Sequence, residues 1–303
     1  MLFIFQSAWS QTENSQRKFT RIYDHQFELR HDNDFLLFTD RYYTTGTFIG
    51  LRKLLDKGKD TSNTRHYSAY VLQQFYTPSD LLANKVENFD RPYVGFFGIS
   101  NALTISNKKR LWDHKVLLGF TGPLSGASVV QSFFHESLAA ESRIAAWEDQ
   151  IKNGFHANFY LNYVREWDLK MSPFQVFFSL NPSGALGTKD IFFQQDVAVF
   201  LGKRQPMNLS SAYQQLGNLE TEIFFAVRAG YRYIFHDSLL EGNVLRDPSV
   251  FLVEPYQNMF LYNFEMYFRR KRGSYKVSYN FSTPTTRTVK PHLYMLVSYS
   301  KAF

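Results

Sequence analysis

No cysteine occurs among the 303 residues, so a disulfide scaffold and a thiolate nucleophile are both excluded, although reduced cytosolic and envelope proteins alike manage without it. No run approaches the ~18 consecutive apolar residues of a membrane-crossing helix. If the chain enters a bilayer, it does so with strands. A G-x-S-x-G elbow is also missing, which argues against a serine hydrolase of the usual α/β kind. None of the modules that read nucleic acid is present, so no nucleic-acid partner is expected. What the chain does have is aromatic surface, 31 Phe and 19 Tyr, which rules out disorder. Its net charge of +7, with a pI near 9.3, suits anionic partners such as phosphate-bearing lipid.

The first residues, MLFIFQSAWSQ, form a short apolar run followed by small residues. They resemble the end of a secretory signal peptide cleaved near Ser10; the alternative is a buried N-terminal strand. Residues 1–10 are therefore set apart as a signal-peptide remnant, and 20–303 as a single barrel domain.

Period-2 alternation dominates the rest of the chain. Tyr23, His25, Phe27 and Leu29 take one face, and Asp24, Gln26, Glu28 and Arg30 the other. At the C-terminus Leu293, Met295, Val297, Tyr299 and Phe303 again share a face, interrupted by Lys301. Strand-like segments fall at 21–33, 43–54, 66–77, 94–105, 110–120, 155–168, 174–182, 191–202, 221–235, 256–270, 274–282 and 292–303. Twelve such segments with a greasy and a wet face predict an all-β fold, a twelve-stranded antiparallel transmembrane β-barrel. A soluble sandwich or lipocalin-like barrel would alternate similarly. The connections 55–65 and 203–220 are long where such a barrel has short periplasmic turns.

One segment breaks the rhythm. Residues 125–147 are rich in Ala, Ser and Glu, come just after Gly122-Pro123, and predict a helical insertion with Ser125 as N-cap. With both termini in the periplasm, this helix and the 35–41 loop emerge at the same, external end. Gln131 and His135, four apart, share a helix face, and a hairpin between the first two strands brings Asp34 near Thr44, which alternation puts on the inner face with Gly46. Asn33 points to the opposite face unless a bulge turns it, and Glu141 lies about 120° around an ideal helix from His135.

These residues resemble the outer-membrane lipid A 3′-O-deacylases, calcium-dependent twelve-stranded barrels. The resemblance rests on Asn33-Asp34 with Thr39-Asp40-Arg41-Tyr42-Tyr43-Thr44-Thr45-Gly46, on Asp90-Arg91-Pro92-Tyr93-Val94-Gly95, on Gly119-Phe120-Thr121-Gly122-Pro123 with Gln131 and His135, and on Trp147-Glu148-Asp149-Gln150. Thr45 stands where the family often has Asn, and the C-terminal half matches as generic barrel. The resemblance implies His135 as general base, Gln131 as its positioning partner, and Asn33, Asp34, Thr44 and Glu141 around a calcium ion. The substrate would be lipid A or lipopolysaccharide among outer-membrane lipids, attacked from outside, by a monomer.

Elementary chemistry is compatible with those roles. Ester hydrolysis needs a base near neutrality, which imidazole supplies, and positive charge where the oxyanion forms. Calcium takes 6–8 hard oxygen ligands, and manganese accepts similar donors. Blander readings stand beside each residue: His135 as a rim histidine, the aspartates as solvated turn residues, Glu141 as helix surface charge. Arg91 reads either as a contact to substrate phosphate or as an anchor on a loop carbonyl. Two further function classes remain open. A phospholipase barrel would use a serine, for which Ser125, Ser128 and Ser132 are candidates, and a passive pore would need no oxygen-rich hairpin.

Overall fold

The computed structural model describes residues 23–34, 41–56, 63–137, 145–171, 175–216, 220–245 and 247–303; for 134–137 it describes the backbone alone. Twelve antiparallel strands run in chain order: β1 (His25–Asn33), β2 (Tyr42–Leu54), β3 (Asn63–Thr77), β4 (Val94–Asn107), β5 (Arg110–Thr121), β6 (Gly154–Asp168), β7 (Val176–Gly187), β8 (Asp190–Lys203), β9 (Glu222–Asp237), β10 (Asn258–Arg270), β11 (Gly273–Ser282) and β12 (His292–Ala302). The sheet closes where β1 pairs with both β2 and β12, Leu29 lying opposite Ile49 on one side and Tyr299 on the other. Closure leaves no strand edge, as a lipid environment requires of any sheet.

The alternation predicts which side is which. Phe27 and Leu29 are exposed on the outer wall while Gln26 and Glu28 are buried within, and on β12 Leu293, Val297 and Phe303 are outside against Leu296, Ser298 and Ser300 inside. The molecule is apolar outside and polar inside, the reverse of a water-soluble core. No helix among the described residues is long and apolar enough to cross a membrane.

At the end where β1 begins and β12 finishes, the long β8–β9 connection folds into the barrel. It forms two 3-10 turns, Met207–Leu209, buried together with Gln215 and Leu216, and Ser211–Tyr213, half-buried. Lumenal polar groups find partners there. Arg52 Nη2 donates to Gln214 Oε1 at 2.5 Å, and Gln214 Nε2 donates to Glu28 at 2.7 Å. Gln215 Oε1 accepts from Ser106 at 2.9 Å and Thr64 at 3.2 Å. Arg204 forms an ion pair with Glu166 at 2.5 Å, its guanidinium lying over Phe177 and Phe200. The segment 203–220, too long for a turn, is thus a plug. Beyond it a polar cavity of about 580 Å³ is lined by residues including Glu28, Arg30, Lys115, Asp196, Arg232 and Lys276.

The opposite end carries α1 (Ala127–Ser137) and a one-turn helix, α2 (Ser238–Glu241). The predicted helix over 125–147 is corrected at both ends. Ser125 closes a 3-10 turn, Pro123–Ser125, its Oγ donating to the Gly122 carbonyl at 2.6 Å. Gly126, at φ +69°, then holds the N-cap position, its carbonyl accepting from Val130 N–H at 3.1 Å. Ala145–Trp147 are irregular, with Trp147 at φ +55°, so the helix has ended before them; residues 138–144, like 1–22, lie outside the described residues.

Candidate functional site

The position of α1 is set by the strand faces beneath it. On β4, Phe96 and Ser100 turn inward and Ile99 outward, which puts Gly95 on the outer face, and Gly95 pairs with Phe75 of β3. Both lie under α1: a Cβ on Gly95 would come within 2.2 Å of Ala127 Cβ and of Ser125 Oγ. Only glycine lets the helix approach this closely. Gln73 Nε2 adds a bond to the Ser125 carbonyl at 2.7 Å. The helix therefore lies against the outside of the barrel wall, at the end opposite the plug.

A small core fills the space between them. Phe75, Leu81, Phe89, Tyr93, Ala127, Ala145 and Trp147 are buried together. The Trp147 indole meets Phe75 edge-on at 6.2 Å and Tyr93 at 5.6 Å, and its Nε1 donates to Gln131 Oε1 at 2.5 Å. Tyr93 donates its hydroxyl to the Leu81 carbonyl at 2.8 Å, and burial pushes that phenol up to about 12. Gln131 is thus held in a fixed rotamer by a residue 16 positions further on. His135 sits one turn beyond Gln131 on α1; its side chain, and all of Glu141, lie outside the described residues.

The first hairpin reaches the same stretch of wall. Asp34, fully buried just past β1, donates its N–H to the Thr44 carbonyl at 3.4 Å and accepts the Arg41 N–H on Oδ2 at 2.8 Å. Between Tyr43 and Thr45 the register with β3 shifts by one residue, a bulge at Thr44. Tyr43 keeps to the inside, donating to Asp32 at 2.8 Å, while Thr45 pairs with the outward Phe75. The strict alternation expected for Thr44 is therefore broken: the extra residue has no slot of its own, is buried, and sets its hydroxyl 3.4 Å from the Phe75 carbonyl. Asn33 keeps the face opposite Asp32, with its Nδ2 3.3 Å from Thr45 Oγ1. That face, expected from alternation to lead away from the site, is the one α1 covers.

Asn33 accordingly shares the outer face that α1 covers, Thr44 and the Asp34 backbone bonded to it lie at the bulge beside Phe75, and Gln131 reaches the same Phe75 through Trp147. Arg91 lies apart from them. It is buried at the barrel mouth with its guanidinium 4.6 Å over Tyr76, 3.4 Å from the Leu239 carbonyl and 3.5 Å from that of Pro92. Burial lowers its pKa from the ordinary value, and the geometry is an anchor's rather than a phosphate clamp's. Sequence reasoning missed the roles of Trp147, Tyr93 and Gly95; the signal available for them was their place in the motifs that carry the family resemblance.

The donor chemistry fits a hard cation. Asp34 offers a carboxylate, Thr44 a hydroxyl and Asn33 an amide oxygen, all hard oxygen donors of the kind calcium prefers. Among the described residues, no three His, Cys, Asp or Glu side chains form a metal cluster of their own. Ser125 is committed to its turn through Gly122 and the Ala127 N–H, which removes it as a nucleophile.

A closed barrel with an apolar wall, a polar plugged lumen and oxygen donors gathered beneath a wall-hugging helix is that of an outer-membrane protein. A family model described as Outer membrane protein LpxR matches residues 1–303. The chain belongs to that family, the outer-membrane lipid A 3′-O-deacylases, which are carboxylic ester hydrolases. Among solved structures, LpxR from Salmonella typhimurium superposes with a TM-score of 0.76 at 18% identity, over 92% of this chain and 100% of that one. The beta domain of the Bordetella autotransporter BrkA matches with a TM-score of 0.44 at 11% identity, over 93% of this chain and 98% of that one. No curated protein matches the chain.

Proposed function

We propose that this lipid A deacylase cleaves its ester with water activated by His135, at a calcium site formed by Asp34, Asn33, Thr44 and Glu141, on the external side of the membrane and as a monomer. The observation that carries the reading is the convergence of the Asn33–Thr45 hairpin and the Trp147-clamped Gln131 on one patch of outer wall. A site outside the wall meets lipid directly, without passage through the lumen. Calcium, when bound, supplies positive charge where the acyl carbonyl becomes an oxyanion. The imidazole of His135 takes a proton from water as its oxygen attacks the carbonyl carbon, and returns that proton to the sugar oxygen as the ester C–O bond breaks, leaving a free fatty acid and a hydroxyl. Gln131, locked by Trp147, fixes the neighbouring turn of α1. Pairing of β1 with β12 leaves no edge that would need a second copy.

Mass spectrometry of lipid A from cells expressing the wild type and a folded His135→Ala variant, each with calcium and with chelator, tests this. Loss of acyl mass requiring both His135 and calcium is expected. Full deacylation by His135→Ala would end the role given to that residue, and full activity in chelator the role given to the metal.

A further inference from the structure

One face of α1 is left uncovered by the described residues. Ala127 and Gln131 turn to the wall, whereas on the other side Val129 is 71%, Phe133 66% and Val130 45% exposed, preceded by Leu124 at 67%. At 100° per residue the buried pair spans 0–40° of the helix and Val129, Val130 and Phe133 span roughly 200–300°, with Ser128 and Ser132 on the edge between. Four adjacent apolar side chains facing water would be costly, and a solvated outer loop has no need of them.

The wall below shows what covers them. Phe120 and Phe155, exposed on the outer face of β5 and β6, pack at 5.4 Å at the same end of the barrel, and Ile99 and Leu118 continue the apolar surface downward. Leu124 comes only three residues after Thr121 ends β5. The apolar side of α1 thus prolongs the lipid-facing wall. We propose that α1 lies in the outer leaflet, with Leu124, Val129, Val130 and Phe133 immersed among acyl chains. This builds on the barrel's membrane placement and deepens the proposed site: a site beside α1 then faces the leaflet laterally at the depth of acyl esters, so the substrate need not leave the leaflet.

The absence of cysteine makes the test direct. Single-cysteine variants Val129→Cys, Phe133→Cys, Ile99→Cys and Lys85→Cys, each purified as the folded barrel, are spin-labelled and reconstituted in vesicles of phosphatidylethanolamine and phosphatidylglycerol. Collision with oxygen, enriched in lipid, is compared with collision with a water-soluble nickel chelate. Labels at 129 and 133 are expected to resemble the wall label at 99, oxygen exceeding nickel, while the label at 85 on the exposed β3–β4 loop shows the reverse. Nickel-dominated collision at 129 and 133 overturns the proposal, as does low collision with both reagents, which would mean a protein partner or a second copy covers the helix. The labels report depth whether or not deacylation occurs, so a failure of the catalytic reading is seen separately. In the active enzyme, Val129→Asp with Phe133→Asp is expected to lower kcat/KM about tenfold on vesicle-embedded lipid A, through KM, with little change on substrate dispersed in detergent. An unchanged KM on vesicles would count against immersion.

Discussion

At the scale of single residues, Trp147 makes the most specific prediction. Its indole helps fill the space between α1 and the wall and donates a hydrogen bond to the Gln131 side-chain oxygen. Trp147→Phe keeps most of the packing but leaves that oxygen without its donor in a buried place, a cost of about 1–3 kcal/mol. A fall in kcat of roughly tenfold, with KM little changed, is expected in a lipid A deacylation assay; wild-type kcat would show that Gln131 needs no such clamp. Asp34 predicts differently. Asp34→Ala removes the only carboxylate among the described donors on the hairpin, so calcium binding measured by calorimetry on the detergent-solubilised barrel is expected to disappear. Retained affinity would place the ion elsewhere.

Elements show how far the sequence could be read. Strand positions were legible because each strand carries lipid on one side and a polar lumen on the other, the condition under which period 2 is strongest. The Thr44 bulge was not, since it exists only in the register of β2 against β3; Asn33 needed no bulge, because its regular outward face is the one α1 covers. The end of α1 was equally hidden: Ala-rich, Glu-rich sequence continues to Trp147, whereas the chain needs Trp147 at positive φ to aim its indole back at Gln131. Gly95 decides whether α1 can dock at all. Gly95→Ala puts a methyl within 2.2 Å of Ala127 Cβ, which no rotamer change can move, and of Ser125 Oγ, which is held on the Gly122 carbonyl. The barrel is expected to fold, still shifting mobility on heating in gel electrophoresis, while deacylation falls severely. Normal activity in Gly95→Ala would mean that the helix need not touch the wall.

For the whole molecule, the long connection that sat awkwardly with a simple barrel accounts for the lumen. Composition does not reveal that 203–220 folds inward, because its Gln, Asn and Ser would suit a solvated loop equally well. Gln214 and Gln215 find Arg52, Glu28, Thr64 and Ser106, and Arg204 finds Glu166, partners from β1, β2, β3, β4 and β6 brought together only by closure. The plug satisfies those inward charges, so the strands and the connection stabilise one another. It also separates this barrel from a pore. The wild-type protein in a planar bilayer is expected to show no stepwise conductance, whereas deleting 207–215 should open the lumen through the cavity above it. Because the proposed site lies on the outer wall, the deletion variant, if folded, should still deacylate lipid A. Conductance by the wild type would show that the plug moves aside, and loss of deacylation in a folded, conducting variant would tie the outer site to the lumen after all.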